Sequence, residues 1–363
     1  MPVAEMLALL RSWVEFETPS LEPARVAAFA DVVADAFTAA GCRAQRHPDA
    51  LQLDFGPTTD SGAKPVLVIG HLDTVYACGT LASMPFRIDG DRAYGPGTFD
   101  MKGGIVQALA AVPSVNPKAR VRFLFVYDEE LGSPRSRSLT ERLARTASAV
   151  LVLEPAAEGG KLKTERKGIA QYRVTAHGVA AHAGVDFERG ASAIVELARN
   201  LVEMASWSAP AAGLTVNPGI VQGGTRGNVV AAEATAQVDV RGWTQADLES
   251  ADRRIRSLRP TDDRVRLMIE GGINRPPLEA SPGGDRLFQR AHALGRRLGL
   301  DLTSTRTGGG SDGNFTAALG IPTLDGLGMV GAGAHAPHEH IEISALEDRV
   351  ALLAALLNEL GQC

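Results

Sequence analysis

Cysteine is scarce in this chain: its 363 residues hold Cys42, Cys78 and Cys363, with no C-x-x-C spacing and no even set to pair. A disulfide framework is excluded, and free thiols in a reducing compartment are expected. Long apolar runs are missing as well. The stretch 351–357 is among the longest, far below the ~20 residues that span a bilayer. At the amino end, residues 6–10 are too short for the apolar region of a secretion signal, and Glu5 and Arg11 flank them. Basic residues form no block. With 37 of them against 42 acidic ones the net charge is −5, so no nucleic-acid or membrane partner is expected. Internal repeats, low-complexity segments and long linkers are absent too. The expectation is a soluble cytoplasmic protein.

What remains is an ordinary folded composition, 45% hydrophobic and 22% charged, long enough for two domains at roughly 150 residues each. Helical spacing marks 4–13 and 23–40, with Gly41 as a stop. Short β-rich runs follow at 65–70, 121–127 and 149–153. They are continuously apolar rather than alternating, which predicts strands buried on both faces of an α/β sheet. An apolar helix is expected at 103–112. The middle reads strand 171–177, helix 191–205, strands 213–221 and 234–241, helix 246–258 and strand 265–270. That β-α-β-β-α-β order is the split-βαβ unit. The chain then returns to a helix at 284–298, a glycine-rich loop, a helix at 312–319, a strand at 322–327 and a closing helix. The predicted architecture is an α/β domain, 1–167 with 278–363, interrupted by an inserted α+β domain, 168–277.

Polar residues collect where the core strands end. The first runs into Gly70-His71-Leu72-Asp73-Thr74-Val75, the second into Asp128-Glu129-Glu130-Leu131-Gly132-Ser133, and the third into Glu154-Pro155. A late strand leads to His335, His338, Glu339 and His340, and Asp100 stands just ahead of an apolar helix. Ligands of open α/β sheets bind at the carboxyl ends of strands. Carboxylates crowded there repel one another unless a cation neutralises them. Imidazole and carboxylate without cysteine suit a catalytic rather than a structural zinc. Any one of these residues alone reads as a capping or solvated group; five on successive strand ends do not. Asp73 lies on the same side of an extended chain as His71, so it can hold that imidazole in one tautomer.

These residues resemble the dinuclear-zinc exopeptidases and deacylases of metallopeptidase family 20. The resemblance spans nearly the whole chain and rests on G-H-x-D-T-V at 70–75, G-x-x-D-M-K-G-G at 97–104, D-E-E-x-G-S at 128–133 and E-P at 154–155. G-x-x-x-H-x-G at 178–184 and T-G-G-G-S-D at 307–312 fit as well. With Gly227-Asn228-Val229-Val230 and Asn274-Arg275-Pro276, the last patterns look most like the glutamate carboxypeptidase branch. The fold implied is a zinc-exopeptidase-like α/β/α catalytic domain with an inserted ferredoxin-like dimerisation domain. The resemblance implies two Zn²⁺ per subunit, replaceable by Co²⁺ or Mn²⁺, with Asp100 bridging them. His71 and Glu154 would complete one metal's ligands, and Glu130 and His335 the other's; the H-x-x-x-E pattern selects His335 over His338 and His340. Glu129 would be the general base.

The resemblance further implies a cis peptide at Asp100–Met101, and a His182 that crosses a homodimer interface to stabilise an oxyanion. Asn228 and Arg275 would bind a substrate carboxylate, and the backbone of Gly309, Gly310 and Ser311 would form an anion nest. The activity expected is hydrolysis of an amide next to a free carboxylate, in a small peptide with a carboxyl-terminal glutamate or in an N-acyl amino acid. Rival readings are a deacylase with the same chemistry, a silent binding protein on the same scaffold, and a thiol enzyme using Cys78.

Overall fold

The apolar runs at the centre of the first domain become strands lying side by side. In the computed structural model, which describes residues 1–58 and 63–362, one six-stranded sheet has the order Arg43–His47, Ala50–Phe55, Val121–Val126, Val66–His71, Ala149–Val152, Thr323–Leu324. The last four strands run parallel to one another and the first two antiparallel. Every residue of Val66–His71 is buried. Val66 and Val68 join one apolar cluster, with the helices Val3–Glu15, Pro23–Ala39, Gly103–Ala111 and Leu346–Leu360. Leu67 and Ile69 join another, with Leu139 and Ala144 of the helix Arg137–Ala144. Burial on both faces removes the need for alternation, which explains the unbroken apolar runs.

The chain divides into two compact units: Met1–Arg166 with Leu278–Thr307 and Ser311–Cys363, and Lys167–Pro277 with Gly308–Gly310. The sequence boundaries stood at 167/168 and 277/278, and nothing in the sequence had assigned the glycine tip to the second unit. That unit follows the predicted order of elements: strand Gly168–His177, helix Ala193–Ser206, strands Thr215–Gly223 and Glu233–Gly242, helix Gln245–Arg256, strand Arg266–Arg275. The four strands pair antiparallel, with Thr215–Gly223 and Arg266–Arg275 at the edges. Here apolar residues do alternate. Ala170, Tyr172, Val174 and Ala176 point into the core beside Leu197, Leu248 and Ile255 of the two helices. Thr244 and Asp247 cap the second helix reciprocally, satisfying two of its free N–H groups.

Three features escaped the sequence reading. The antiparallel pair Arg43–His47 and Ala50–Phe55 extends the sheet, and its outer strand is polar and largely exposed. A small sheet joins Gly331–Ala332, His340–Glu342, Arg92–Tyr94 and Arg87–Asp89. Leu162–Arg166 pairs with Ser304–Thr307. All are short, and most carry charged residues that leave no periodic signal. The strand expected at 322–327 shrinks to Thr323–Leu324. Cys42 is buried and Cys78 exposed, both free; Cys363 lies outside the described residues. Among the described residues no helix is long and apolar enough to cross a membrane.

Candidate metal centre

His71 is the last residue of its strand, and Glu154 stands two residues beyond Val152 at the end of the next. Glu129 and Glu130 open a tight turn, Glu129–Leu131. Buried Asp128 secures that turn, accepting hydrogen bonds from the Ser136 hydroxyl at 2.5 Å and the Arg135 N–H at 2.8 Å. Asp100 lies in the turn Thr98–Lys102, and the Asp100–Met101 peptide is cis, as expected. The helix that follows can approach the chain just past the strand Ala149–Val152 because residue 104 is glycine: a Cβ there would stand 2.7 Å from the Leu153 carbonyl oxygen.

These turns bring the predicted ligands together. Asp100 faces two ways. Its Oδ1 is 3.1 Å from His71 Nε2, while its Oδ2 is 3.4 Å from His335 Nε2. His71 Nε2 is also 3.7 Å from a Glu154 oxygen, and His335 Nε2 is 3.0 Å from Glu130 Oε1. Donor atoms of His71, Asp100 and Glu130 lie within 4.8 Å of one another, and so do those of His71, Glu129 and Glu154. Two half-sites that share one carboxylate are what a dinuclear centre needs. His338 stays exposed, and buried His340 is turned to the His338 carbonyl at 2.9 Å.

Asp73 orients His71 in a way the sequence had not foreseen. The imidazole Nδ1–H donates to the Asp73 backbone carbonyl at 2.9 Å, with the carboxylate at 3.5 Å. The carboxylate itself accepts the N–H groups of Glu129 and Glu130, each at 3.2 Å. The tautomer is fixed as expected, leaving Nε2 as the ligand atom. The same residue also ties the first strand end to the second.

Behind Glu154 lies a buried ion pair. Arg166 reaches Glu154 at 3.3 Å and holds Asp325 at 2.6 and 2.8 Å. Ser311 donates its hydroxyl to Asp325 at 2.6 Å and its backbone N–H to Asn314 Oδ1 at 2.9 Å. The nest expectation therefore needs correcting at Ser311: it is wholly buried, and its N–H is engaged inside the protein. Lys163 was missed. Its amine lies within electrostatic reach of Arg166, Asp325, Glu154 and Asp100; burial, then Arg166, lowers its pKa. The signal was one lysine in an unremarkable strand, with no spacing to mark it.

The second unit holds the other predicted residues. His182 is exposed, and its Nδ1 accepts the Gly184 N–H at 3.1 Å, so Nε2 carries the proton. Asn228 lies beside it through the Ala183 N–H to Asn228 carbonyl bond at 3.0 Å. Arg275 is buried, and Gly310 packs so closely that a Cβ would meet Arg275 Cδ at 2.9 Å. Gly309 belongs to the same glycine tip.

The model of peptidase family M20/M25/M40 matches residues 67–359. The chain belongs to that family. It is 35% identical over 318 residues to carboxypeptidase G2 of a Pseudomonas species, a match covering 84% of this chain and 76% of the relative. It is 26% identical to a succinyl-diaminopimelate desuccinylase of Verminephrobacter eiseniae, covering 83% and 80%. The solved structure of an aminopeptidase from Bacillus cereus shares the fold over 99% of both chains, with a TM-score of 0.81 at 22% identity. This M20 chain is a metal-dependent hydrolase.

Charge at the M20 centre is strongly perturbed. Burial pushes the Glu154 carboxyl up to about 7, helped by the Asp100 charge and opposed by Arg166. Hydrogen bonds to Asp100 and Glu130 push His335 up to about 10. Burial opposes charge on His71, yet Asp100 and Asp73 raise its pKa well above the ordinary value. Asp100 is held low by both imidazoles although burial works the other way. Carboxylates that draw protons onto neighbouring imidazoles form a donor set that divalent cations would satisfy. The metal-stripped protein binds these protons more tightly folded than unfolded. Their stabilisation is full below the unfolded values and fades as pH rises through the folded ones. Metal-stripped protein should therefore lose melting temperature from about pH 5 to about pH 10, while the increment from added zinc grows. Paired melts across that range check this; a zinc increment independent of pH would contradict it.

Proposed function

We propose that this chain is a glutamate carboxypeptidase-like exopeptidase, hydrolysing an amide next to a free carboxylate with two zinc ions in the centre. The observation that carries the reading is Asp100, whose two oxygens face two separate imidazoles, with Glu129 beside one half-site. His71, Glu154 and Asp100 Oδ1 would hold one ion; Glu130, His335 and Asp100 Oδ2 the other. The ions would supply polarisation of the scissile carbonyl and a more acidic water. Glu129 takes the proton of that water and passes it to the leaving nitrogen. The His182 Nε2–H is a donor suited to the developing oxyanion.

Lys163, within electrostatic reach of Asp100 and Glu154, is the candidate of the first unit for receiving a substrate carboxylate, since Arg166 is engaged by Asp325 and Glu154. Asn228, Arg275 and the Gly309-Gly310 tip are the candidates in the second. A charge-assisted hydrogen bond contributes about 1.5–3 kcal/mol, so Lys163→Met should raise KM by about tenfold to a hundredfold with little change in kcat. The likeness to the desuccinylase supports a second reading, an N-acyl amino acid deacylase. Release of amino acids from a panel of carboxyl-terminal glutamate dipeptides, other dipeptides and N-acyl amino acids tests both. Preference for an N-acyl amino acid over every dipeptide would overturn the carboxypeptidase reading.

A homodimer through the inserted unit completes the proposal. Val185, Phe187, Ile194, Val195 and Val202 are exposed there, and so are Ile220 and Val221 on an edge strand. Apolar side chains beside an open strand edge suit a second copy. Sedimentation at twice 38.2 kDa is expected, and a monomer would refute it. The free thiols at Cys42 and Cys78 suit a cytoplasmic location, which fractionation of the source cells tests.

A further inference from the structure

One buried carboxylate behind the cluster has no part in the chemistry above. Glu339 is fully buried. Its Oε1 accepts the N–H groups of both Phe99 and Asp100, each at 2.9 Å. Its Oε2 accepts the Tyr76 hydroxyl at 2.7 Å. That hydroxyl also lies 3.2 Å from the Ala336 carbonyl oxygen. The main chain of Glu339 is tied down as well: its N–H donates to Ala336 at 3.0 Å, and its carbonyl accepts the Gly95 N–H at 3.2 Å. One side chain thus joins three segments, those carrying Asp100, His335 and the continuation of the His71 loop.

The two half-sites depend on this junction unequally. His71 sits in a strand between hydrogen-bonded neighbours, its ring held by Asp73, and Glu154 rests against Arg166. His335 has no such frame. Its side chain is 48% exposed, and its backbone is left-handed at φ 62°, a conformation that costs a non-glycine residue about 1–3 kcal/mol and persists only where surroundings over-determine it. The loop is tight there: a Cβ on Gly333 would stand 3.0 Å from the Glu339 nitrogen. Glu339, four residues on, is buried and anchors this loop through its side chain and its main chain.

We infer that Glu339, buttressed by Tyr76, is a positioning residue: it holds Asp100 Oδ2 and His335 in register and so sets the affinity of the Glu130–His335 half-site without touching the ion. The inference rests on the two-metal reading. Outer partners of metal ligands typically change affinity by about 10–100-fold when removed, and here the effect should fall on one ion only.

The test is titration of metal-stripped protein with Co²⁺, following visible absorption and bound-metal stoichiometry. Wild type should take up two ions. Glu339→Ala should bind the first within about twofold of wild type and the second about 10–100-fold more weakly. Glu339→Gln keeps one acceptor oxygen for the two N–H groups and should recover most of the loss. Tyr76→Phe removes only the buttress and should weaken the second ion by about threefold, less than loss of the whole carboxylate, as befits a single hydrogen bond. Should Glu339→Ala fail to fold, Tyr76→Phe carries the test by itself, and wild-type binding of both ions by it would overturn the inference. A Glu339→Ala protein that binds both ions as wild type does, or loses both equally, would overturn it too. Fewer than two ions bound by wild type would instead refute the two-metal reading.

Discussion

Glu129→Gln is expected to lower kcat about a thousandfold while both metal ions stay bound, because general-base catalysis contributes about 10²–10⁴-fold. Glutamine has nearly the same shape and keeps a hydrogen-bonding oxygen, but it cannot take up a proton at neutral pH. The two neighbouring glutamates face different partners. Glu130 Oε1 lies 3.0 Å from His335 Nε2, whereas the Glu129 side chain gathers with His71 and Glu154. Both backbone N–H groups are pinned by Asp73, so the substitution should not move the turn. Steady-state rates with metal analysis on the same sample decide the matter. Unchanged turnover would remove Glu129 from the mechanism, and loss of an ion would make it a ligand instead.

Asp100→Ala should do more damage than loss of any other ligand. In the two-metal reading each remaining ligand would serve one half-site, whereas Asp100 would serve both, since its two oxygens face two separate imidazoles. Its removal costs each half-site a ligand and also removes the charge that helps raise Glu154. Bound metal should fall below two ions per chain. Activity should drop by at least about a thousandfold, since Lewis-acid stabilisation amounts to several kcal/mol and each 1.36 kcal/mol is a factor of ten. Asp100→Asn separates the parts, keeping one oxygen in place without the charge. Metal analysis after dialysis, with melting curves to confirm folding, checks the outcome; two ions retained by Asp100→Ala would refute the bridging role.

The centre was legible because its parts stand at strand ends. Continuously apolar runs at 65–70, 121–127 and 149–153 mark a sheet covered on both sides, and such a sheet presents its carboxyl edge as one crevice. His71, Glu130 and Glu154 could therefore be placed together without coordinates. The inserted unit was legible for a different reason, since its alternating strands and two amphipathic helices follow their own periods. Short strands such as Arg92–Tyr94 and His340–Glu342 have too few residues for any period to show. Their pairing joins positions about 250 apart in the chain, which no local pattern encodes.

The amino-acid sequence by itself determined the two-unit architecture, the donor types and the strand ends that carry them, because burial period and side-chain chemistry are local properties. The tertiary structure alone decided which oxygen of Asp100 faces which imidazole, and that Asp73 holds His71 by its carbonyl. It also decided that Ser311 faces inward, that Lys163 lies within electrostatic reach of Asp100 and Glu154, and that Glu339 accepts the N–H groups of Phe99 and Asp100. Those are hydrogen bonds and charge contacts between residues far apart in the chain, and they exist only once the packing of the core has brought the loops together.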